Sequence, residues 1–175
     1  MRLIAIDVET AAQGHICEIG CAEIADRQIV KVCGWLVKPS CFPNFDPEHQ
    51  TIHNIIAADL ENAPTFKELW DAELHKIIRP DALLIAHHAW YDVEAITTEM
   101  KRNEIKMFPV RYFCTLQQAR KHLKGLDGYS LKNVCRFMKI QQDNPHRAES
   151  DAVSAARIFI KLPKTHAGGI KIKQR

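Results

Sequence analysis

The first ten residues, MRLIAIDVET, constrain this chain more than any other stretch. Leu3 to Val8 is an apolar run of strand length, rich in branched side chains, and it predicts a buried central strand. Side chains alternate across a strand, so Asp7 and Glu9 lie on the same face. Two adjacent carboxylates at the end of an apolar strand repel each other, and a hard divalent cation relieves that repulsion. The pattern favours a metal site over the simpler alternative, in which both acids end a strand and face water.

Length and composition indicate one soluble globular domain. The chain has 175 residues, of which 46% are hydrophobic and 26% are charged. It contains no run of 18 apolar residues and no signal-peptide pattern at its amino terminus, so we expect no membrane association and a cytoplasmic location. The six cysteines are predicted to be free thiols. Cys17 and Cys21 lack a second Cys or His pair at a matching spacing, which leaves a zinc site as the minor alternative.

Positive charge accumulates at the carboxyl end. The net charge is +3, yet residues 163–175 alone carry +4, from Lys164, Lys171, Lys173 and Arg175. We therefore predict a domain over 1–162 followed by a basic, flexible tail over 163–175. Such a tail can add non-specific affinity for nucleic acid, or it can be a solvated end without a further role.

Hydrophobic periodicity predicts three strands followed by strands that alternate with helices. The second and third strands, 16–25 and 28–37, are joined by a hairpin turn at Asp26-Arg27. Thr65 and Glu68 form a capping box that starts an amphipathic helix over 66–78. Residues 82–86 form a wholly apolar strand. This order predicts an α/β fold, in which helices pack on a mixed sheet.

Asp92 is the third acid of interest. It lies in the first turn of the helix predicted over 87–102, directly after the buried strand, where the helix dipole favours an anion. Open α/β sheets bind ligands beyond the carboxyl ends of their strands, which is where Asp92 lies. The alternative is a helix-start carboxylate with no other task.

Asp151 and His146 lie at the start of the last helix, predicted over 149–162. Asn144-Pro145 interrupts the chain just before, which places His146 on a loop and Asp151 in the first helical turn. A fixed carboxylate beside a movable imidazole suits a metal ligand next to a general base. The alternative is a surface histidine and an unrelated helix-start acid.

Three segments together resemble a known family. D-V-E-T at 7–10, A-H-H-A-W-Y-D at 86–92 and H-R-A-E-S-D-A at 146–152 resemble the three exonuclease motifs of the DEDDh (DnaQ-like) family. Further matches occur in the family's order, among them I-C-E-I-G at 16–20, T-I-H-N-I at 51–55 and Y-S-L-K-N-V-C at 129–135. The resemblance covers roughly residues 1–162.

The resemblance implies a ribonuclease-H-like α/β fold, with a mixed five-stranded sheet and helices on both faces. It also implies a metal-dependent 3′–5′ exonuclease that hydrolyses phosphodiester bonds at the 3′ end of single-stranded nucleic acid, DNA in the first place, and releases nucleoside 5′-monophosphates. Two Mg²⁺ or Mn²⁺ ions would be held by four carboxylates, those of Asp7, Glu9, Asp92 and Asp151. Asp7 would bridge both ions, and His146 would deprotonate the attacking water.

The same resemblance implies a set of residues around the 3′-terminal nucleotide: Thr10, Ala11, Ile52, His53, His88 and Tyr91. Three departures from the family pattern fall in or beside this set. Ala11-Ala12 replaces Thr-Gly, His88 replaces Asn, and Tyr91 replaces Phe. These departures affect how the terminal nucleotide is held, and they leave all four carboxylates and His146 in place.

Two alternative functions remain open from the sequence. An RNA-trimming exoribonuclease would use the same chemistry, because the 2′-hydroxyl takes no part in it. A non-catalytic nucleic-acid-binding module would be expected to lack one or more of the acids, and none is missing. A homodimer, or a polymerase or repair protein as partner, is also compatible with the resemblance.

Overall fold

The computed structural model describes residues 1–162 and 170–173, and a mixed sheet forms its centre. The six strands have the order β3-β2-β1-β4-β5-β6. Their bounds are β1 Arg2–Ala12, β2 His15–Ala25, β3 Gln28–Leu36, β4 Ala82–Ala86, β5 Val110–Cys114 and β6 Ile170–Lys173. β1 is antiparallel to β2 and parallel to β4, so the central strand predicted from the first ten residues is confirmed.

Helices cover both faces of this sheet. Their bounds are α1 Pro47–His53, α2 Phe66–Leu69, α3 His75–Ile77, α4 Ala89–Arg102, α5 Thr115–His122, α6 Leu131–Phe137 and α7 Ala148–Lys161, with a 3-10 turn at Ala57–Leu60. Alternation along β1 divides the core. Ile4 and Ile6 pack in the cluster that includes α4, whereas Ala5 packs in the cluster that includes α6 and α7. Each face of the sheet is therefore sealed by its own apolar layer.

The β2–β3 hairpin follows from its turn residues. Asp26 and Arg27 both have positive φ, 48° and 61°, which is the geometry of a two-residue type I′ turn. This turn sets the register between β2 and β3, in which Cys21 lies opposite Cys33. The predicted hairpin is confirmed.

The helix predicted over 66–78 has one feature that its periodicity does not indicate. Thr65 caps it as expected: its hydroxyl accepts a hydrogen bond from the backbone N of Glu68 at 3.3 Å, and the Glu68 carboxylate accepts one from the backbone N of Thr65 at 2.8 Å. Between α2 and α3, however, Trp70–Leu74 forms a π-helical turn. Trp70 and Leu74 are buried there in the core cluster that contains α4.

The predicted fold class is confirmed, with one strand more than expected. The sheet contains the five strands that the resemblance implies, and among the described residues Ile170–Lys173 adds a sixth, antiparallel to β5. This strand falls in the segment predicted as a tail. Its four residues alternate Ile with Lys, a run too short and too basic to stand out from the surrounding positive charge. Residues 163–169 and 174–175 lie outside the described residues, so the tail and the domain boundary stay predictions.

Within the described parts of the chain, we find no helix with the length and apolar character needed to cross a membrane.

Candidate active site

Four carboxylates converge at the carboxyl end of β1. Asp7 and Glu9 are half-buried on one face of that strand, whereas Asp92 and Asp151 are buried in the first turns of α4 and α7. The Oδ1 atom of Asp92 accepts a hydrogen bond from the backbone N of Val8 at 3.2 Å. This bond ties the start of α4 to the strand between the first two acids. The elements predicted to carry the four acids are those that do carry them.

The electrostatics of the cluster show that its negative charge is uncompensated. Burial, together with the charge of Asp92 and then that of Glu9, raises the pKa of Asp7 well above its usual value. Burial, followed by the charges of Asp151 and Glu18, raises the pKa of Glu9 to about 8. Burial raises the pKa of Asp92 to about 7, although backbone N–H groups oppose the shift. Oxygen donors that repel one another in this way fit a hard divalent cation.

The carboxylate of Asp151 is hydrogen-bonded to the loop that carries His146. Oδ2 of Asp151 accepts a hydrogen bond from the backbone N of His146 at 3.1 Å, and Oδ1 accepts one from the Nε2 of Gln142 at 2.7 Å. Potential ligand atoms of Glu9, His146 and Asp151 all lie within 4.8 Å of one another. His146 itself is exposed and has a φ of 62°, a backbone conformation uncommon outside glycine and often found at functional sites. The imidazole is therefore close enough to serve this site either as a base or as a ligand.

Glu18 is a residue of this site that the sequence reasoning missed. It lies opposite Glu9 in the β1–β2 register and is only 5% exposed. Its carboxylate accepts hydrogen bonds from the Nε of Arg147, at 3.0 Å to Oε1 and 3.2 Å to Oε2, and from the backbone N of Ala148 at 2.8 Å. Glu18 thus holds the start of α7 against β2. The sequence feature that could have indicated Glu18 was the presence of an acid inside the apolar run ICEIG.

Gly20 allows this close approach between β2 and α7. A Cβ atom at position 20 would overlap the backbone of Ala148 and the N of Glu149. Only a residue without a side chain lets the first turn of α7 lie directly on the strand. The position of Asp151 relative to Asp7 therefore depends on a backbone-to-backbone contact.

Thr10 organises a second group of predicted residues. Its hydroxyl shares hydrogen bonds with the Oη of Tyr91 at 2.6 Å and with the Nδ1 of His49 at 2.8 Å. His53 accepts a hydrogen bond from the backbone N of Ile55 through Nδ1, at 3.0 Å, so its Nε2 carries the proton and donates to the carbonyl O of Thr10 at 3.2 Å. Tyr91 and His53 are thereby fixed beside Thr10. His49 was not predicted.

The other three residues predicted to contact substrate lie in different environments. Ile52 on α1 is 52% exposed. His88 is exposed, has a φ of 81° and precedes α4. Ala11 is fully buried in a small core cluster with Cys17, Ile55 and Leu60. The methyl group of Ala11 therefore packs in the core, and the predicted contact of this residue with substrate stays a prediction.

A polar cleft of about 620 Å³ lies beside the loop that carries His146. It is lined by Leu36, His53, Asn54, Ile55, Asp59, Asn144, Pro145 and Arg147. Its volume falls within the range of about 300–1,000 Å³ typical of small-ligand sites. The cleft borders His146 through the two residues before it and the one after it.

Fold and site together define an α/β protein with a cluster of four carboxylates at the carboxyl edge of its sheet. Comparison with known proteins identifies the family. The model of the RNase T exonuclease family matches residues 4–159. The chain belongs to this family. The DNA polymerase III epsilon subunit of Aquifex aeolicus is 31% identical over 147 residues, which cover 81% of this chain and 72% of that protein. The 3′–5′ exonuclease DinG of Bacillus subtilis is 25% identical over 92% of this chain, and the match spans only 17% of DinG.

Solved structures agree with this assignment. Exonuclease X in complex with 5′ overhanging duplex DNA is 26% identical and has a TM-score of 0.71, covering 95% of this chain and 93% of that one. The nuclease domain of 3′hExo, a DEDDh family member bound to rAMP, has a TM-score of 0.74 at 16% identity, covering 99% and 96% of the two chains, a likeness of fold. The chain is thus a nuclease of the DEDDh, DnaQ-like 3′–5′ exonucleases, a family that uses divalent metal ions.

Proposed function

We propose that this protein removes nucleotides from the 3′ end of single-stranded nucleic acid, DNA in the first place, and releases nucleoside 5′-monophosphates. The observation that carries the proposal is the convergence of four carboxylates with His146 at one end of β1. The pKa values of Asp7, Glu9 and Asp92 are all raised, because these carboxylates are buried close to other acids, and a divalent cation would relieve that repulsion. Phosphodiester hydrolysis uses such a site because a cation neutralises charge that develops on the phosphate oxygens.

The residues that would hold Mg²⁺ or Mn²⁺ are Asp7, Glu9, Asp92 and Asp151. Four carboxylates provide enough oxygen donors for two ions, with Asp7, between Glu9 and Asp92, as the residue shared by both. When bound, such ions supply Lewis-acid stabilisation of the phosphate and lower the pKa of water.

The protein's own residues perform the remaining steps. His146 would accept the proton of the attacking water on an imidazole nitrogen, since its ring lies on an exposed loop beside Glu9 and Asp151. Glu18 and Arg147 keep that loop in position. The expected products are a nucleoside 5′-monophosphate and a strand shortened by one residue with a free 3′-hydroxyl.

The terminal nucleotide would lie between α1 and the start of α4. Ile52 offers an exposed apolar side chain, and Tyr91 offers a ring whose hydroxyl is already bonded to Thr10. Contacts with an aromatic face tolerate all bases, which suits a sequence-independent nuclease. His53 borders the adjoining polar cleft, and His88 lies exposed three residues before Tyr91 in the chain.

The decisive experiment follows a 5′-labelled oligonucleotide during incubation with Mg²⁺ or Mn²⁺. We expect a ladder of labelled products that shorten from the 3′ end, with mononucleotides detected by chromatography. Comparing the rates of hydrolysis of matched DNA and RNA strands, both single-stranded and duplex, shows which substrate the enzyme prefers. Absence of hydrolysis for all of these substrates with both metals would refute the proposal, and faster cleavage of RNA would favour the exoribonuclease alternative.

Partners are proposed on the same basis. The Aquifex relative is by name a polymerase subunit, whereas DinG and a PolC-type polymerase of Caldanaerobacter subterraneus contain the matching segment as 17% and 12% of a longer protein. A polymerase or repair protein, or a second copy of this chain, is therefore a proposed partner. Native mass spectrometry of the purified protein checks the homodimer directly.

A further inference from the structure

A second cleft lies beyond the carboxyl ends of β4 and β5. It has a volume of about 410 Å³ and is lined by His87, His88, Leu116, Gln117, Arg120, Tyr129 and Ser130. It begins at His88, four residues before Asp92. The same edge of the sheet therefore continues from the active site into this cleft.

The floor of this second cleft is held by defined hydrogen bonds. Nε2 of His87 donates to the carbonyl O of Tyr129 at 2.8 Å, and Nδ1 pairs with the hydroxyl of Thr115 at 2.9 Å. Burial lowers the pKa of His87 to about 4, so the ring is neutral and carries its proton on Nε2. The loop that ends at Ser130 is thereby fixed to the end of β4, and the cleft is preformed.

The chain around this cleft is strongly basic. Residues 117–139 contain six basic residues and one acid, and all six basic side chains are exposed: Arg120, Lys121, Lys124, Lys132, Arg136 and Lys139. Outside this segment the protein has 18 basic and 20 acidic residues. Among the described residues, the ion pairs involve none of these six side chains. Their charge is therefore free to meet a polyanion.

Favourable interaction with a helix dipole explains the positions of only some of these basic residues. Arg120 and Lys121 are in the last turn of α5, where a cation is favourable. Lys132 is in the first turn of α6, where the dipole disfavours it. Arg120 lines the cleft, and its charge contributes to the lowered pKa of His87 at the floor.

We propose that this cleft binds the phosphate backbone of the substrate strand, upstream of the 3′-terminal nucleotide. The inference rests on the proposed exonuclease function and adds to it a second contact region. Because the cleft begins at His88, four residues before Asp92, a strand whose scissile phosphate meets the acids can continue over the β4–β5 edge into it. Arg120 and Lys132 then neutralise phosphates, and Trp90, which is 54% exposed beside His88, offers a stacking face for a base.

The test measures binding without hydrolysis. Wild-type protein in EDTA is titrated against 5′-fluorescein-labelled strands of three and twelve nucleotides, in matched DNA and RNA, and fluorescence anisotropy is recorded over a range of salt concentrations. We expect tighter binding of the longer strand. Each phosphate contact on a single strand contributes about 0.7 to the slope of log K against log salt. The slope should therefore fall by about 0.7 in Arg120→Gln and by about 1.4 in the double variant with Lys132→Gln.

The matched control removes the same charge elsewhere. Lys31→Gln/Lys106→Gln neutralises two lysines that are also exposed, one on β3 and one on the loop before β5. This variant should keep the wild-type slope and the preference for the longer strand. Equal slopes in both double variants, or equal wild-type affinity for both lengths, would overturn the inference. Failure of the wild type to cleave any strand with Mg²⁺ or Mn²⁺ would instead refute the proposed function, whatever the slopes show.

Discussion

Glu18 on β2 and Arg147 on the loop before α7, 129 residues apart in the chain, form an ion pair with three hydrogen bonds: Nε donates to Oε1 at 3.0 Å and to Oε2 at 3.2 Å, and Nη2 donates to Oε1 at 2.5 Å. The Glu18 carboxylate also accepts the backbone N–H of Ala148, so one buried acid holds the segment that presents His146 and Asp151. In metal enzymes, such supporting contacts commonly change activity by about 10–100-fold when they are removed. This pair therefore acts on the site by positioning it.

Glu18→Gln should lower kcat by about 10–100-fold while the protein remains folded, because the amide keeps the size of the side chain and loses the charged pair with Arg147. Metal-dependent cleavage of a labelled strand measures the change in kcat, and thermal melting shows whether the variant remains folded. Glu23→Gln is the matched control, since Glu23 is on the same strand and pairs with Arg2 at 2.8 Å. A surface pair of that kind is worth about 0–1 kcal/mol, so activity should not change. Equal effects of the two substitutions would contradict a positioning role.

Gly20→Ala should destabilise the protein by more than about 3 kcal/mol, or displace the start of α7, because the new methyl group would overlap the backbone of Ala148. Gly34→Ala is the control on the neighbouring strand. There a Cβ atom would approach the end of the Glu149 side chain, 2.8 Å from Oε2, and that side chain can move. Urea unfolding of both variants measures the difference. Similar midpoints would show that the contact between β2 and α7 is looser than described.

Asp92→Asn should lower the rate of cleavage by about 10³-fold and yet stabilise the metal-free protein. The amide oxygen can still accept the hydrogen bond from Val8, while the repulsion with Asp7 is removed. Loss of several kcal/mol of charge stabilisation corresponds to a decrease in rate of about 10³-fold. Cleavage assays and melting in EDTA give both readouts. Asp81→Asn, at the amino end of β4 and paired with Arg79, should leave the rate unchanged. A lower melting temperature for Asp92→Asn in EDTA would show that the carboxylate contributes net stability.

His146→Asn separates the two chemical roles open to this imidazole. Asparagine tolerates the positive φ of 62° at this position, so the loop should keep its conformation. Loss of a general base predicts a decrease in kcat of about 10²–10⁴-fold with metal affinity retained. Isothermal titration calorimetry with Mn²⁺ provides the second measurement. A comparable loss of metal affinity would identify His146 as a ligand instead.

The metal-free protein should lose stability as the pH rises from 6.5 to 8.5. Glu9 and Asp92 have folded-state pKa values of about 8 and about 7, raised from 4.5 and 3.8, so the folded protein binds their protons more tightly than the unfolded chain does. Their contribution is complete at low pH and disappears as the pH passes through these folded values. Histidines with lowered pKa, such as His87, oppose this trend near pH 6.5, because the unfolded imidazole still binds protons there, and their effect ends about one pH unit higher.

Thermal melting in EDTA checks this pH dependence. A change of 1 kcal/mol shifts Tm by about 2–4 °C for a chain of this size, so a decrease of several degrees is expected. Mg²⁺ should reverse the trend, since it binds the ionised carboxylates of the folded state. Glu9→Gln should flatten the profile in EDTA. A metal-free Tm that rises between pH 6.5 and 8.5 would contradict the raised pKa values.

Local signals predicted the elements and the acids that they carry. Alternation along β1 placed Asp7 and Glu9 on one face, and the chain breaks before α7 placed His146 on a loop with Asp151 in the first helical turn. These features depend on neighbours within a few residues, so they can be inferred from sequence alone. For the same reason the Asp26-Arg27 hairpin turn and the Thr65 cap were predicted and are confirmed.

Contacts between distant segments were not accessible in this way. Nothing near Glu18 in the sequence indicates Arg147, and Ala11 could be assigned to the core only once Ile55 and Leu60 packed against it. The basic surface over 117–139 was also missed. A charge count taken over the whole domain conceals an excess of basic residues that is confined to one segment.

The sequence by itself determined the fold class, the four carboxylates and their supporting elements, because periodicity and capping act over a few residues. Only the tertiary structure decided which side chains support the site: Glu18 through its pairing with Arg147, Gly20 through the close approach of α7, and Thr10 through Tyr91 and His49. These relationships arise from strand register and helix docking. Both are set by the packing of the whole core, and no local pattern encodes them.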